Sequence, residues 1–246
     1  MKVNSIKIPY AFDENGNYLT CDFDGHNFAM WIASECDATK SIVLNSMLNY
    51  LTKNYDSADV ELWLFNIKEM NSKQISNVTK MLNCNTSNDL GKCLDEILEE
   101  MKKRIRLFSE NGWRKFEEVP SETKLPLLMV VFDDFEMALE NRTSQGIDNI
   151  LKFEKVLRLS AAFGIKFIFS TLDYVQVFNT LTVATRHQIN QRLALLPIDL
   201  SYLSMFLDLT MEEINKLSLE RKTNISILRR NIEKEVSYGI NLTIDK

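Results

Sequence analysis

Apolar residues follow two rhythms along the chain. Short runs at Phe28–Ala33, Val60–Phe65 and Leu127–Phe132 are unbroken rather than alternating, as in strands covered on both faces. Lys166–Ser170 and, more weakly, Arg192–Leu195 read as two further strands. Between these runs the period lengthens. Val43, Met47, Leu48 and Leu51 share one face of a helix predicted from about Thr39 to Tyr55. Leu90, Leu94, Ile97, Leu98, Met101, Ile105 and Phe108 recur at mostly three- and four-residue steps over Asn88–Phe108, opposite a face rich in Glu, Lys and Arg. A helix is predicted over Ile147–Leu159, and another begins at Thr210, where Glu213 completes an S/T-x-x-E capping box. The tail EVSYGINLTIDK alternates weakly, which predicts an edge strand.

Strands separated by helices imply crossover connections. The expected fold is therefore an α/β domain with a mostly parallel sheet and helices on both faces. No internal repeat or linker interrupts residues 1–246, so a single domain is expected. Composition agrees, with 45% hydrophobic and 26% charged residues and only 7 Gly and 4 Pro. A net charge of −5 gives no general attraction to nucleic acid, and no nucleic-acid partner is expected. Four scattered cysteines (Cys21, Cys36, Cys84, Cys93) form no C-x-x-C pair, and with only His26 and His187 beside them no zinc site is expected. No apolar run is long enough to span a membrane, so no direct membrane insertion is expected.

The stretch MWIASECDATKSIVLNSM carries the candidate chemistry. A strand, a short polar loop and a helix opened by Lys40-Ser41 match the order of a phosphate-binding loop, in which Lys meets the phosphates and Ser holds Mg²⁺. The run LLMVVFDD then ends in Asp133-Asp134, where such a site places the metal acid and the residue that orients water. That order predicts a P-loop architecture of the RecA-like kind. Each half is weak alone. Lys40 also reads as a solvated helix residue, and Asp133 and Asp134 as a helix-start cap and a surface acid. Trp31, Trp63 and Trp113 read as packing residues.

Several further stretches give the chain a family likeness. IPYAFDENGNYLTCDF precedes the first strand, VELWLFNIK stands where a strand ends in Asp-Pro-Lys, and LEEMKKRIRLF matches an E-M-x-x-R-Y-x-L-F helix. LPLLMVVFDDFEMAL matches the metal-binding strand, AAFGIKFIFSTLDY a stretch that ordinarily ends in Ala-Thr-Gln, and INQRLALLPID a later strand bearing an Arg. Together they make the chain resemble the FtsK/SpoIIIE-type P-loop ATPases over nearly its whole length. The resemblance implies an ATP-Mg²⁺ site at Lys40, Ser41, Asp133 and Asp134.

The departures from that family are concentrated in the site. Ser34, Asp37 and Thr39 stand at the loop's glycine positions, Asn66 replaces the Asp of Asp-Pro-Lys, Asp134 is shorter than the usual Glu, and Leu172 replaces the sensor Gln. Glycines let the loop turn its N–H groups inward without a Cβ in the way. A carboxylate about 4 Å from a phosphate costs about 4 kcal/mol at an effective dielectric near 20. That is close to a thousandfold in affinity. The expectation is a vestigial nucleotide site with no catalytic residues, no metal site and ATP-Mg²⁺ bound weakly or not at all.

Within this family the chain is most similar to the C-terminal modules of the tandem type VII secretion ATPases, the EssC/EccC proteins. The resemblance implies an excised module of a larger membrane-anchored chain, lying in the cytoplasm on the inner face of the cell membrane. Its expected partners are secreted helical-hairpin proteins of the WXG and LXG kinds and the adjacent ATPase modules of the same chain. The expected role is substrate recognition and motor regulation. A DNA-translocating or conjugative ATPase, or an active ATPase with an unorthodox loop, remains the alternative. The apolar cluster Leu200–Leu217 is a candidate groove for a helical partner, with core packing as its other reading.

Overall fold

The computed structural model describes residues 3–67, 78–139, 143–217, 224–230 and 235–242. Its strands are β1 (Ile6–Phe12), β2 (Tyr18–Phe23), β3 (Ala29–Ser34), β4 (Val60–Phe65), β5 (Val78–Leu82), β6 (Leu127–Phe132), β7 (Ile165–Thr171), β8 (Gln191–Leu195), β9 (Ile225–Arg230) and β10 (Glu235–Asn241). Its helices are α1 (Asp37–Asn54), α2 (Ser87–Asn111), α3 (Ser144–Ser160), α4 (Tyr174–Thr180), α5 (Val183–Gln188), α6 (Leu200–Leu207) and α7 (Met211–Lys216). All ten strands join one sheet in the order β2-β1-β10-β9-β8-β3-β7-β6-β4-β5. From β8 to β5 every pairing is parallel, while β2, β1, β10 and β9 form an antiparallel wing joined to β8.

The parallel strands are the non-alternating runs. β3, β6 and β7 are buried at every position, because helices cover both faces. On one face α1 lays Val43, Leu44, Met47, Leu48 and Leu51 against Met30, Ile32, Leu62, Leu64, Met129 and Val131. On the other, α2, α3, α4 and α6 pack against Trp31, Val130, Phe132, Phe167 and Phe169. Helix ends follow local chemistry. The Thr86 hydroxyl accepts from the Asp89 N–H at 3.2 Å to start α2, and Gly112, at φ 72°, ends it. The Thr210–Glu213 capping box that the sequence predicts starts α7.

The wing differs from expectation. The tail strand β10 is not at an edge; it lies between β1 and β9. Strands β1, β2, β5 and β9 were not foreseen from periodicity. In β1 the alternation is broken by a register shift between Pro9 and Ala11, which hides its period. Ile105, assigned to the apolar stripe of α2, is 40% exposed.

Gly239 lets β10 enter the wing. A Cβ there would lie 2.3 Å from the Phe12 carbonyl oxygen and 2.7 Å from a Leu19 methyl. Backbone must yield to admit it. Gly239→Ala is expected to lower the unfolding free energy by about 1–3 kcal/mol, read by urea denaturation.

Candidate functional site

Strand β3 ends at Ser34 and α1 begins at Asp37, so Glu35 and Cys36 alone make the turn. The helix therefore starts two residues ahead of the predicted Thr39. The turn is held by its own side chains. The Ser34 hydroxyl donates to the Cys36 carbonyl at 3.0 Å and accepts from the Cys36 N–H at 3.1 Å. Glu35 reaches across the site: its carboxylate accepts from the Tyr174 hydroxyl and the Asp199 N–H, each at 3.3 Å. Asp37 stands in the first turn of α1, where the helix dipole favours an acid. Thr39 and Ser41 are half-buried on the same helix.

Lys40 is fully buried and points to the carboxyl end of β6. Its ammonium donates to Asp133 at 2.7 Å and to Asp134, and lies 3.4 Å from Asp37. Burial pulls its pKa down, but Asp133 and Asp134 outweigh this and hold it above the ordinary lysine value. The reading of Lys40 as a solvated helix residue is thus overturned: the acids that neutralise it make its burial tolerable.

Asp133 and Asp134 are not the cap and surface acid of the other reading, for both are buried and bound to Lys40. The Asp133 carboxylate also accepts from the Ser170 hydroxyl at the end of β7 and from the Asp134 N–H at 3.0 Å. Asp134 adopts φ 48°, ψ 47° as the chain leaves β6. The turn is anchored by Phe135, whose ring packs 5.3 Å from Phe132, 4.9 Å from Phe153 and 5.5 Å from Phe169.

Asn66, at φ 62°, has structural work. Its amide donates to the Cys84 carbonyl at 2.6 Å and to the Asp133 carbonyl at 3.3 Å, and accepts from the Cys84 N–H at 2.5 Å. Lys68, the end of the Asn66 motif, lies outside the described residues. Leu172 offers no side-chain polar group, but its N–H donates to Glu136 at 2.8 Å, and the Asp173 N–H follows at 3.3 Å. Glu136 is 7% exposed, its second oxygen has no hydrogen-bond partner among the described residues, and burial raises its pKa above the ordinary carboxyl value.

Glu35, Glu136, Ser170 and Tyr174 were missed from the sequence. The one available signal was an acid, Glu136, set between Phe135 and Met137 three positions after Asp133.

The other candidates are packing residues. Trp31 is fully buried and donates to the Thr171 hydroxyl at 2.9 Å, Trp63 is buried under Lys80, and Trp113 packs on Phe108. His26 and His187 are exposed. In the segment Leu200–Leu217, Leu203, Phe206, Leu207, Leu209 and Ile214 turn into the core, so core packing accounts for most of its apolar residues, while Tyr202 and Met211 are exposed.

The sequence profile of the FtsK/SpoIIIE family matches residues 2–216. No curated protein sequence matches the chain. Among solved structures, the cytoplasmic domain of the Thermomonospora curvata type VII secretion ATPase EccC superposes with a TM-score of 0.76 at 14% identity, covering 100% of this chain and 30% of that one. The pCW3 conjugation coupling protein TcpA, solved with ATPγS, gives 0.73 at 14% identity over 98% of this chain and 66% of its own. T. curvata EccC ATPases 2 and 3, in complex with a signal sequence peptide, give 0.63 at 11% identity over 98% and 41%. At these identities the likeness is one of fold. The chain spans less than two thirds of each.

Lys40→Met leaves buried carboxylates uncompensated and is expected to lower the unfolding free energy by about 3–5 kcal/mol, with Asp134→Asn in the same chain restoring part of it. Glu136 gives a pH signature. A carboxyl whose folded pKa lies above its unfolded value, about 4.3, retains a proton in the native state between those two values. Stability therefore falls as pH rises through that window. Glu136→Gln keeps an acceptor for both N–H groups, and its unfolding free energy is expected to gain on the wild type as pH rises from 4 to 7 in a denaturation series.

Proposed function

The chain belongs to the FtsK/SpoIIIE family, and we propose that it is a module of that family that has given up ATP turnover and serves recognition and regulation in a type VII protein secretion motor. One observation carries this reading: the lysine that meets phosphate in the family is fully buried against Asp133 and Asp134. A nucleotide would have to separate that pair before binding.

The rest of the site fits Mg-ATP poorly. Between β3 and α1 only Glu35 and Cys36 remain as loop, side chains occupy all three glycine positions, and Glu35 spans the site to Tyr174 and Asp199. Asp37, Asp133 and Asp134 all pair with Lys40, so a triphosphate would meet repulsion there. Asp134 and Leu172 stand where the family has the residues that orient water and sense the phosphate. The remaining residues do no chemistry together; they hold the ends of β3, β6 and β7 in one arrangement.

A fold kept intact around such a site acts through its surface. Likeness to EccC modules, one of them solved with a signal sequence peptide, supports secreted helical-hairpin proteins and neighbouring ATPase modules as partners. Among the described residues no helix is long and apolar enough to cross a membrane. We assign the module to the inner face of the cell membrane through the rest of its parent chain. Likeness to TcpA favours a second reading, a DNA-conjugation ATPase, which the net charge of −5 opposes.

Calorimetry tests both halves. Mg-ATP is expected to give no heat at micromolar concentration, whereas a helical-hairpin protein encoded beside the gene, or the preceding module, is expected to bind at high micromolar or tighter. A micromolar dissociation constant for Mg-ATP would end the first half; silence from every such partner would end the second.

A further inference from the structure

Two arginines face each other across the junction of the parallel sheet and the wing. Arg192 in β8 is the direct cross-strand partner of Arg229 in β9, and they are 3% and 8% exposed. Like charges placed directly opposite in an antiparallel pair repel, and burial strengthens the repulsion. Neither forms an ion pair among the described residues.

Arg192 is partly satisfied by the carboxyl ends of two helices: it donates to the Phe206 carbonyl at 2.8 Å and the Arg186 carbonyl at 2.9 Å. Among the described residues its Nε–H has no acceptor. Among the described residues Arg229 has no side-chain acceptor for its buried Nε–H either. A third guanidinium, Arg186, lies 3.9 Å over the Phe178 ring. Two acids act on this group from a distance, Asp208 on Arg192 and Glu213 on Arg229. Glu213 is already committed to the Thr210 N–H and hydroxyl.

We propose that Arg192 and Arg229 form a binding site for one carboxylate, seated between the two guanidinium groups and held by their Nε–H donors. Water could accept from the same donors, but it would leave the two positive charges opposed; an anion satisfies the donors and cancels the repulsion. Among the described residues, Arg186, Arg192 and Arg229 together with Asp208 and Glu213 leave one net positive charge, which matches a monoanion rather than a phosphate dianion. Burial, the leading cause, also brings the Arg192 pKa down to about 10, as for a charge short of compensation. Guanidinium is the side chain best shaped to bind planar oxyanions. Outside the pair, Val236 faces Arg229, and the exposed Tyr238 and Ile240 continue along β10. That apolar margin suits a carboxylate carried by an acidic side chain of a partner as well as a free acid. The site is separate from the Lys40 cluster and does not depend on the loss of ATP turnover.

The test is an acetate titration of the full chain at constant ionic strength, following the arginine Nε–H resonances by NMR, with chloride as control. Signals from Arg192 and Arg229 are expected to shift saturably with acetate and to stay put in chloride. Arg229→Leu is expected to raise the thermal midpoint in anion-free buffer and to abolish the shift at Arg192. A peptide with one glutamate between leucines that produces the same shift at about a tenth of the acetate concentration assigns the site to a partner side chain; equal concentrations assign it to a free acid. Phosphate binding more tightly than acetate overturns the carboxylate assignment. Unmoved Nε–H signals, or a lower midpoint for Arg229→Leu, overturn the site.

Discussion

A buried ammonium sets the terms for the centre of this fold. Lys40 has no exposed surface, and a lone charge there would neutralise or drag the helix outward. Its ion pairs therefore fix three elements at once. Asp133 and Asp134 tie α1 to the end of β6, and the Ser170 hydroxyl on Asp133 brings in the end of β7. Asn66 extends the same network to β4 through the Asp133 carbonyl. In a nucleotide-binding relative these groups must be free to meet phosphate and metal. Here they are paired with each other, and that pairing holds the carboxyl edge of the sheet together; on the proposed function the same arrangement keeps a triphosphate out.

If the site is closed to nucleotide as proposed, its closure and its changed loop residues are linked physically. Once the loop no longer has to present inward N–H groups, nothing requires residues without a Cβ at its turning points. Asp37 then favours an earlier helix start through the dipole, and Ser34 folds onto the turn instead of opening it. On the proposed function, each departure from the family pattern removes a reason for retaining the others, and Ser34, Asp37, Thr39, Asn66 and Leu172 belong to one change.

The parallel half of the sheet was readable in the sequence because a strand covered on both faces has to be apolar throughout. Leu127–Phe132 could be nothing else of that length, and the order of Lys40-Ser41 and Asp133-Asp134 then located the site. The wing was less readable. β1 carries a bulge, and β5 is short, half-polar and at an edge. The alternation of β10 marked it as a strand, yet no periodicity says that it slots between β1 and β9, for that is decided by long-range pairing and by the close backbone approach that Gly239 permits. In the site, Lys40 and the aspartates were found by spacing. Glu35 and Glu136 were not, because their partners, Tyr174 at the start of α4 and the N–H groups of Leu172 and Asp173 in the turn before it, arrive from far along the chain.

The protein thus handles buried cations in two opposite ways. Lys40 is over-compensated, with carboxylates supplied by its own chain, and such a site gains nothing from an external anion. Arg192 and Arg229 are under-compensated: helix-end carbonyls satisfy Arg192 in part, and the Nε–H donors of both arginines remain open. On the proposals above, electrostatics moves the anion preference away from the site where the family holds its nucleotide to the seam between sheet and wing. If the module works through contacts rather than turnover, that seam is where a charged group of a partner would be felt most strongly, because desolvated guanidinium groups attract an anion far more than exposed ones do. Arg192 is also the cross-strand partner of Trp31, so the proposed anion seat lies beside the strand that leads into the Lys40 cluster.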